Sequence, residues 1–130
     1  MPGVSTLIPA APNERFARVF HWYARRLLRR RFHRVCITPE TIERLRVLDR
    51  HDGPAVLCCT HSSWWDPIVG IDLQRTFLAS RQHFAPMDSA QLSRFRFFRK
   101  LGLFGINPDE HESFDEMVKY LEKLAAEHPR

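Results

Sequence analysis

The clearest pattern of apolar and polar positions lies between Asn13 and Arg34. Apolar side chains recur there at the i, i+3, i+4, i+7 spacing of one helical face. These positions are Phe16, Val19, Phe20, Tyr23, Ala24, Leu27, Leu28 and Phe32. Asn13 can cap the amino end of such a helix. The pattern predicts a helix over 13–34, and three prolines among residues 1–12 predict a flexible leader before it.

The next stretch alternates short apolar runs with signals for the start of a helix. Val35–Ile37 predicts a short strand, and Thr38 offers a hydroxyl cap to a helix that begins with a proline and an acid. The apolar run Ala55–Cys59 follows a turn and predicts a buried strand. Asp66, which precedes a proline, predicts the cap of a largely buried helix over Ile68–Leu78.

The alternation continues beyond residue 81. Residues 82–86 are a weak candidate for a strand, and Asp88 is a candidate cap for a helix over 89–101. Gly102 is placed to close that helix. We expect its inward positions to be Leu92, Phe95 and Phe98.

The carboxyl-terminal part adds one more strand and one more helix. Leu103–Ile106 predicts the strand, and Asn107–Asp109 predicts a turn. Ser113–Glu116 matches a capping box for the last helix. The apolar stripe of that helix comprises Phe114, Met117, Val118, Leu121, Leu124 and Ala125. The whole pattern predicts an α/β fold with a mostly parallel sheet flanked by helices.

Length and composition narrow the class of protein. The chain of 130 residues is one domain at most, and 44% apolar with 12% aromatic residues predicts a globular fold. Three cysteines, two of them adjacent, give no disulfide framework and indicate a reducing compartment. The first twelve residues lack a signal-peptide pattern, and no apolar window reaches the length of a membrane span. We therefore expect a cytoplasmic protein.

The positive charge is concentrated in the first predicted helix. Residues 13–34 hold eight Arg and one Glu, a net charge of +7, whereas the whole chain carries +5. An aromatic apolar face backed by arginines is typical of a helix that lies in a membrane interface and attracts anionic headgroups. The expected membrane-contact residues are Phe16, Phe20, Trp22, Tyr23, Arg25, Arg26, Arg29 and Arg30. An ordinary surface helix with solvated arginines is the alternative; nucleic acid is disfavoured because no base-reading module accompanies the helix.

The candidate chemistry lies in the loop between the Ala55–Cys59 run and the next helix. His61 follows the predicted strand and Asp66 opens the helix, at the strand end where open α/β sheets bind ligands. A carboxylate on one imidazole nitrogen fixes the tautomer and leaves the other nitrogen able to take a proton from a hydroxyl. In the plainer alternative, Asp66 only caps its helix and His61 belongs to a polar rim.

Other chemistry suggested by this region is disfavoured. Ser62 and Ser63 lie beside His61, but the glycine-flanked turn of a nucleophile elbow is absent, which argues against a Ser-His-Asp hydrolase. Cys58 and Cys59 would point to opposite faces of a strand and no second ligand pair exists, so no metal site is predicted. The adjacent Trp64 and Trp65 are typical of packing, although they could line an acyl-chain pocket.

The sequence His61-Ser62-Ser63-Trp64-Trp65-Asp66 resembles the H-x4-D signature of the glycerolipid (phospholipid/glycerol, or lysophospholipid) acyltransferases. The order of the surrounding elements is similar too. In that family the motif follows an apolar strand and precedes an apolar helix, and a basic helix then leads into a glycine-containing strand, as at 98–106 here. The resemblance covers the chain from about Phe16 to its end.

The resemblance implies transfer of a fatty acyl group from an acyl thioester, acyl-CoA or acyl carrier protein, to a hydroxyl of a glycerolipid or lysophospholipid. His61 would be the general base and Asp66 the residue that orients it, with no bound cofactor. The implied substrate-binding residues are Ser62, Ser63, Trp64, Trp65, Gly102 and Gly105. The protein would be peripheral on the inner face of the membrane. A non-catalytic membrane-binding or interaction module is the alternative from another class.

The chain departs from the family pattern at two places. The family usually has an Arg soon after the glycine-containing strand, where this chain has Asn107-Pro108-Asp109. The third family block, which is similar to Pro-Glu-Gly-Thr, would lie beyond Arg130. The resemblance therefore implies that residues 35–130 are the N-terminal part of an acyltransferase-like α/β domain, truncated before the third family motif.

Overall fold

A computed structural model describes residues 7–129 of the chain. The chain folds into two compact units. The first comprises the chain before Arg18 together with Gln82–Pro129, and the second is Arg18–Arg81. In the described part of the chain, no helix combines the length and the apolar character needed to cross a bilayer.

The described residues form helices and two short strands, which confirms the α/β class. In order, they are α1 (Glu14–Arg31), α2 (Pro39–Arg50), α3 (Asp66–Phe77), β1 (Ala85–Asp88), α4 (Ser89–Arg94), a 3₁₀ helix (Arg96–Leu101), β2 (Leu103–Ile106) and α5 (His111–Glu127). The two strands form a parallel pair in which Ala85 aligns with Leu103 and Asp88 with Ile106. The expected parallel sheet is therefore present as a two-stranded one among the described residues.

Three of the predicted caps begin helices in the structure. Asn13 accepts the amide of Phe16 at 3.0 Å at the start of α1. Thr38 accepts the amide of Thr41 at 3.2 Å before α2, and Asp88 accepts the amide of Ala90 at 2.8 Å before α4. Such side-chain acceptors satisfy amides that have no partner within the first helical turn.

The second unit is built on the packing of α1 against α3. Ala24, Leu28 and Ile68 are buried together, and Phe20, Trp65 and Val69 pack around them. This arrangement explains why one face of α1 is apolar. It also means that Phe20 covers protein rather than facing outward.

Arg81 joins the end of α3 to the end of α2. The residue is 9% exposed, and its guanidinium donates to the carbonyl oxygens of Leu48 at 3.2 Å, His51 at 2.6 Å and Gly53. These carbonyls lie at or just beyond the carboxyl end of α2, where backbone acceptors lack helical partners. The Asp49 carboxylate binds the Ser80 hydroxyl at 2.6 Å and strengthens the same junction.

The first unit has its own core around β2. Phe104 and Leu92 are fully buried, and Leu124 of α5 is 6% exposed. The Phe104 ring meets the Tyr120 ring edge-on at 5.1 Å. Helix α5 is thus held against the strand pair by a few large side chains.

The segment before α1 lies along β2. Ile8 and Gly105 exchange backbone hydrogen bonds of 3.0 and 2.7 Å in an antiparallel bridge, and the amide of Ala10 donates to the Tyr120 hydroxyl at 2.9 Å. These bonds tie down residues that were predicted to be part of a flexible leader. Residues 1–6 of that predicted leader lie outside the described residues.

Two predicted strands are not strands in the structure. Val35–Ile37 is irregular, and Ala55–Cys59 is an exposed segment that pairs with no strand among residues 7–129. Val56 is 87% exposed and Leu57 is 62% exposed. The prediction of a buried strand was wrong because an apolar run becomes a strand only where a neighbouring strand accepts its hydrogen bonds.

Two helices differ from their predictions, one in its length and the other in its first residue. The helix expected over 89–101 breaks at Phe95, which is 39% exposed, and continues as the 3₁₀ helix. Helix α5 begins two residues before Ser113, whose side chain accepts the amide of Asn107 at 2.8 Å instead of capping its own helix. Part of the predicted inner stripe of α5 is exposed, namely Phe114, Val118 and Leu121.

Candidate functional site

His61 and Asp66 meet in the loop that enters α3. Nδ1 of His61 lies 2.9 Å from Oδ2 of Asp66. The backbone amides of Ser62 and Ser63 each donate to the same oxygen at 2.9 Å. The loop therefore folds around one carboxylate, and the predicted juxtaposition of His61 with Asp66 is present.

The position of Asp66 differs from the predicted cap. Asp66 is the first residue of α3, and the preceding Trp65 is the flanking residue with no side-chain hydrogen bond to the helix. The carboxylate reaches back to the loop amides of Ser62 and Ser63 rather than forward to the amides of the first helical turn. It thus stabilises the loop that carries His61.

The same contacts favour the ionised form of Asp66. The backbone amide of Ser63, then the His61 side chain and the amide of Ser62, hold the pKa of this carboxyl below its ordinary value of 3.8. At neutral pH the group is a carboxylate and an acceptor only. Nδ1 of a neutral His61 must then carry its proton toward Asp66, and Nε2 carries the lone pair.

The imidazole is accessible. The His61 side chain is 65% exposed and that of Asp66 is 37% exposed. A hydroxyl compound can therefore reach the ring from solvent. Chemically, the pair can accept a proton at Nε2 and stabilise the resulting imidazolium through the carboxylate.

The two tryptophans of the motif stack on each other. Their ring centroids lie 4.5 Å apart with an interplanar angle of 30°. Trp65 also meets Phe32 edge-on at 5.0 Å, whereas Trp64 is 65% exposed. Trp65 thus anchors the loop in the core of the second unit, and Trp64 presents an apolar surface beside the His61 loop.

The other predicted substrate-binding residues have local structural roles. Gly102 has a φ of 91° at the end of the 3₁₀ helix, and a Cβ there would overlap the carbonyl oxygen of His83. A Cβ on Gly105 would lie 3.0 Å from the Cβ of Ile8. Both glycines belong to the first unit and allow close backbone approaches there.

The cysteines next to the site are exposed free thiols. Cys58 and Cys59 lie in the exposed segment before His61, and Cys36 is exposed as well. In the described ranges, no group of three or more His, Cys, Asp or Glu side chains is arranged to hold a metal ion.

The expected membrane-contact residues of α1 fall into two groups. Phe16 packs against Phe97, with centroids 6.2 Å apart, and Phe20 packs on the α1–α3 core, so both are half-buried. Trp22 and Tyr23 are 63% and 49% exposed, and Val19 is 67% exposed. The four arginines of the predicted set are exposed too, namely Arg25, Arg26, Arg29 and Arg30.

The exposed face of α1 therefore mixes aromatic residues with arginines. Val19, Trp22, Arg26 and Arg30 follow one another at helical spacing along that face. The Arg26 guanidinium lies over the Trp22 ring, 5.8 Å from its centroid. Because Phe16 and Phe20 are half-buried against protein, the membrane contact stays a prediction chiefly for this outer, mixed face.

Asp72 is a functional candidate that the sequence did not single out. Its carboxylate binds Nε2 of His21 at 2.8 Å and lies 3.7 Å from Nε of Arg25. A charged residue within the mostly apolar Ile68–Leu78 run was the available signal. Asp72 also lines a cavity together with cationic side chains of α1 and of the segment that follows it.

Comparison with known protein families, characterised proteins and solved structures found no match to this chain.

Proposed function

We propose that the chain transfers a fatty acyl group from an acyl thioester, acyl-CoA or acyl carrier protein, to a hydroxyl of a glycerolipid or lysophospholipid. The observation that carries this proposal is the 2.9 Å contact between Nδ1 of His61 and Oδ2 of Asp66 in a loop where the imidazole is exposed. A hydroxyl is a weak nucleophile until a base removes its proton, and a carboxylate-paired imidazole is suited to that task. The resemblance of residues 61–66 to the H-x4-D signature supports the same class of reaction.

In the proposed reaction, His61 takes the proton of the acceptor hydroxyl and later returns it to the leaving thiolate. Nε2 takes the proton as the acceptor oxygen attacks the thioester carbonyl, and the charge on the resulting imidazolium is stabilised by Asp66. The tetrahedral intermediate then collapses, the C–S bond breaks, and the thiolate leaves with the proton that His61 returns. The products are an ester and a free thiol. Asp66 remains ionised throughout because its pKa is held low.

A membrane surface is the proposed location of the acceptor. The outer face of α1 combines the exposed Trp22 and Tyr23 with arginines. Aromatic rings suit the headgroup region, and each basic residue near an anionic surface contributes about 1 kcal/mol at low salt. Binding to vesicles that contain anionic lipid should therefore weaken as salt is added, and salt-insensitive binding would contradict this contact.

Variants of His61 and Asp66 test the catalytic part. With an acyl-CoA and a lysophospholipid on vesicles, release of free thiol should fall to background in His61→Ala and by roughly 100-fold or more in Asp66→Asn. His111→Ala, an exposed histidine at the start of α5, is the matched control and should retain turnover. Unchanged thiol release in His61→Ala would overturn the role of His61.

A non-catalytic membrane-binding module is the second candidate, and two features favour it. The segment before His61 is exposed rather than part of a sheet, and the two cavities along α1 are lined by neither His61 nor Asp66. Such a module should sediment with anionic vesicles and lose binding in Trp22→Ala/Arg26→Gln, without any thioester turnover. Turnover that depends on His61 would exclude it.

A further inference from the structure

A cavity of about 270 Å³ opens beside the carboxyl end of α1 in the second unit. Four of its lining residues can carry positive charge: Arg25, Arg29, His33 and Arg34. Apolar walls come from Leu28, Phe32 and Val35. We infer that this cavity is a binding site for a phosphate or phosphomonoester dianion.

The charge balance of the cavity favours a dianion. Asp72 is the acidic residue on its wall, and its carboxylate already contacts His21 at 2.8 Å and Arg25 at 3.7 Å. The other two arginines of the lining, Arg29 and Arg34, make no ion pair with Asp72, the one acidic residue among the lining residues. Two unmatched guanidinium groups complement the two charges of a phosphomonoester at neutral pH, and a protonated His33 would add to them.

Charge favours phosphate over a carboxylate, because a carboxylate carries a single negative charge, whereas guanidinium geometry suits both kinds of anion. Guanidinium groups bind phosphate oxygens in pairs, through parallel N–H donors whose spacing fits two oxygens. The cavity lies near the lower end of the size range of small-molecule sites, so it suits a compact group better than an extended ligand. The apolar lining residues Leu28, Phe32 and Val35 can contact a carbon substituent on the phosphate.

The cavity overlaps the outer face of α1 only in part. Arg26, Arg30 and Trp22 line a separate cavity on the helix, whereas His33 and Arg34 belong to the first one alone. Arg25 and Arg29 line both. Variants of Arg34 therefore probe the phosphate site, and variants of Arg30 on the same basic segment serve as the matched control.

Phosphate binding in this cavity does not require acyl transfer. A bound phosphomonoester could belong to a soluble ester or to a lipid headgroup, and the chemistry recognised is the same. Phe32, which lines the cavity, contacts Trp65 of the His61 loop at 5.0 Å between ring centroids. The site is thus joined by packing to the loop that carries the His61–Asp66 pair.

Titration of the full chain with inorganic phosphate and with glycerol 3-phosphate tests the site, with the ring resonances of His33 followed by NMR at constant ionic strength. Both anions should give saturable shifts, and acetate should give none. Arg34→Gln should weaken binding roughly tenfold or more, since it removes charge-assisted hydrogen bonds, while Arg30→Gln should stay within about twofold. Circular dichroism checks that each exposed variant keeps its helices.

The outcomes separate the alternatives. Absence of saturation, equal shifts with acetate, or equal losses in Arg34→Gln and Arg30→Gln would each overturn the site. A second arm adds vesicles of neutral lipid containing phosphatidic acid. Competition between these vesicles and glycerol 3-phosphate would assign the site to a lipid headgroup, and binding of glycerol 3-phosphate without competition would assign it to a soluble phosphate ester.

Discussion

At the scale of single residues, Asp66 shows how one carboxylate oxygen can organise a loop. It accepts the amides of Ser62 and Ser63 and contacts Nδ1 of His61, all at 2.9 Å. A helix-opening aspartate usually satisfies amides that follow it. Here it satisfies amides that precede it, so the loop conformation and the orientation of His61 depend on the same group.

Asp66 should make stability depend on pH in acid. Its native pKa lies below the ordinary value of 3.8, so its contribution is fully present above that value and is lost as the pH falls through the lowered native pKa. We expect Asp66→Asn to be less stable than the wild type at pH 5–7, with a difference that shrinks below pH 4. Urea unfolding at several pH values measures this. A difference that grew on acidification would contradict the sign.

Arg81 should contribute strongly to the free energy of unfolding, although no pattern in the surrounding sequence indicates this role. Its guanidinium serves three carbonyl oxygens while nearly buried, and its removal takes this donor from those of His51 and Gly53, whereas the Leu48 oxygen still accepts the His51 amide. Arg81→Ala should lower the free energy of unfolding by about 3 kcal/mol. Arg44→Ala is the control, because its pair with Glu40 is exposed and should contribute no more than about 0.5 kcal/mol. Equal effects in urea unfolding would contradict this role.

At the scale of elements, Gly102 determines how the 3₁₀ helix passes into β2. Gly102→Ala combines a positive φ with an overlap against the backbone of His83. It should lower the free energy of unfolding by about 3 kcal/mol or more. Gly70→Ala is the opposite case. Gly70 is an exposed residue inside α3 with no atom within 4 Å of an added Cβ. Gly70→Ala should therefore raise the free energy of unfolding by about 0.5–1 kcal/mol. Thermal unfolding distinguishes the two, and destabilisation by both would contradict the contrast.

The elements that could be predicted are those whose cause is local. The caps at Asn13, Thr38 and Asp88 and the glycine at the end of the 3₁₀ helix depend on a few neighbouring residues, and all are present. Ser113 shows the limit of local signals. Its hydroxyl had two possible partners, and the upstream amide of Asn107 is the one it binds.

The features that could not be predicted from the sequence depend on partners distant along the chain. Ala55–Cys59 has the composition of a buried strand, but burial needs a neighbouring strand that composition does not reveal. Arg81 and Asp72 were missed because nothing in the spacing around them points to acceptors or donors about 30 to 50 residues away. In the site itself, the His61–Asp66 contact could be predicted because both residues lie within one short loop.

At the scale of the whole molecule, the candidate functional features occur together in the second unit. The His61–Asp66 pair, the outer face of α1 and the cationic cavity all belong to residues 18–81. The first unit contributes a small strand pair with its own core. The excess positive charge of the chain follows the same division, because most of it lies in and just after α1.

The three thiols test the placement of the Ala55–Cys59 segment in the intact molecule. Cys36, Cys58 and Cys59 are all exposed, so each should react with iodoacetamide in the native protein at a rate similar to that of the unfolded chain. Peptide mass spectrometry assigns the modified positions. Cys36 is the internal reference for an exposed thiol. Protection of Cys58 or Cys59 alone would show that the segment is a buried strand after all, since adjacent residues of a strand point to opposite faces.

The contacts of Arg81 have a consequence for recognising relatives of this chain. All three acceptors are main-chain carbonyls, so substitutions at positions 48 and 51 leave the interaction available. Position 53 is more restricted, because its φ of 103° favours glycine. We therefore expect divergent relatives to keep a glycine and, 28 residues later, an arginine, whichever side chains they carry at positions 48 and 51.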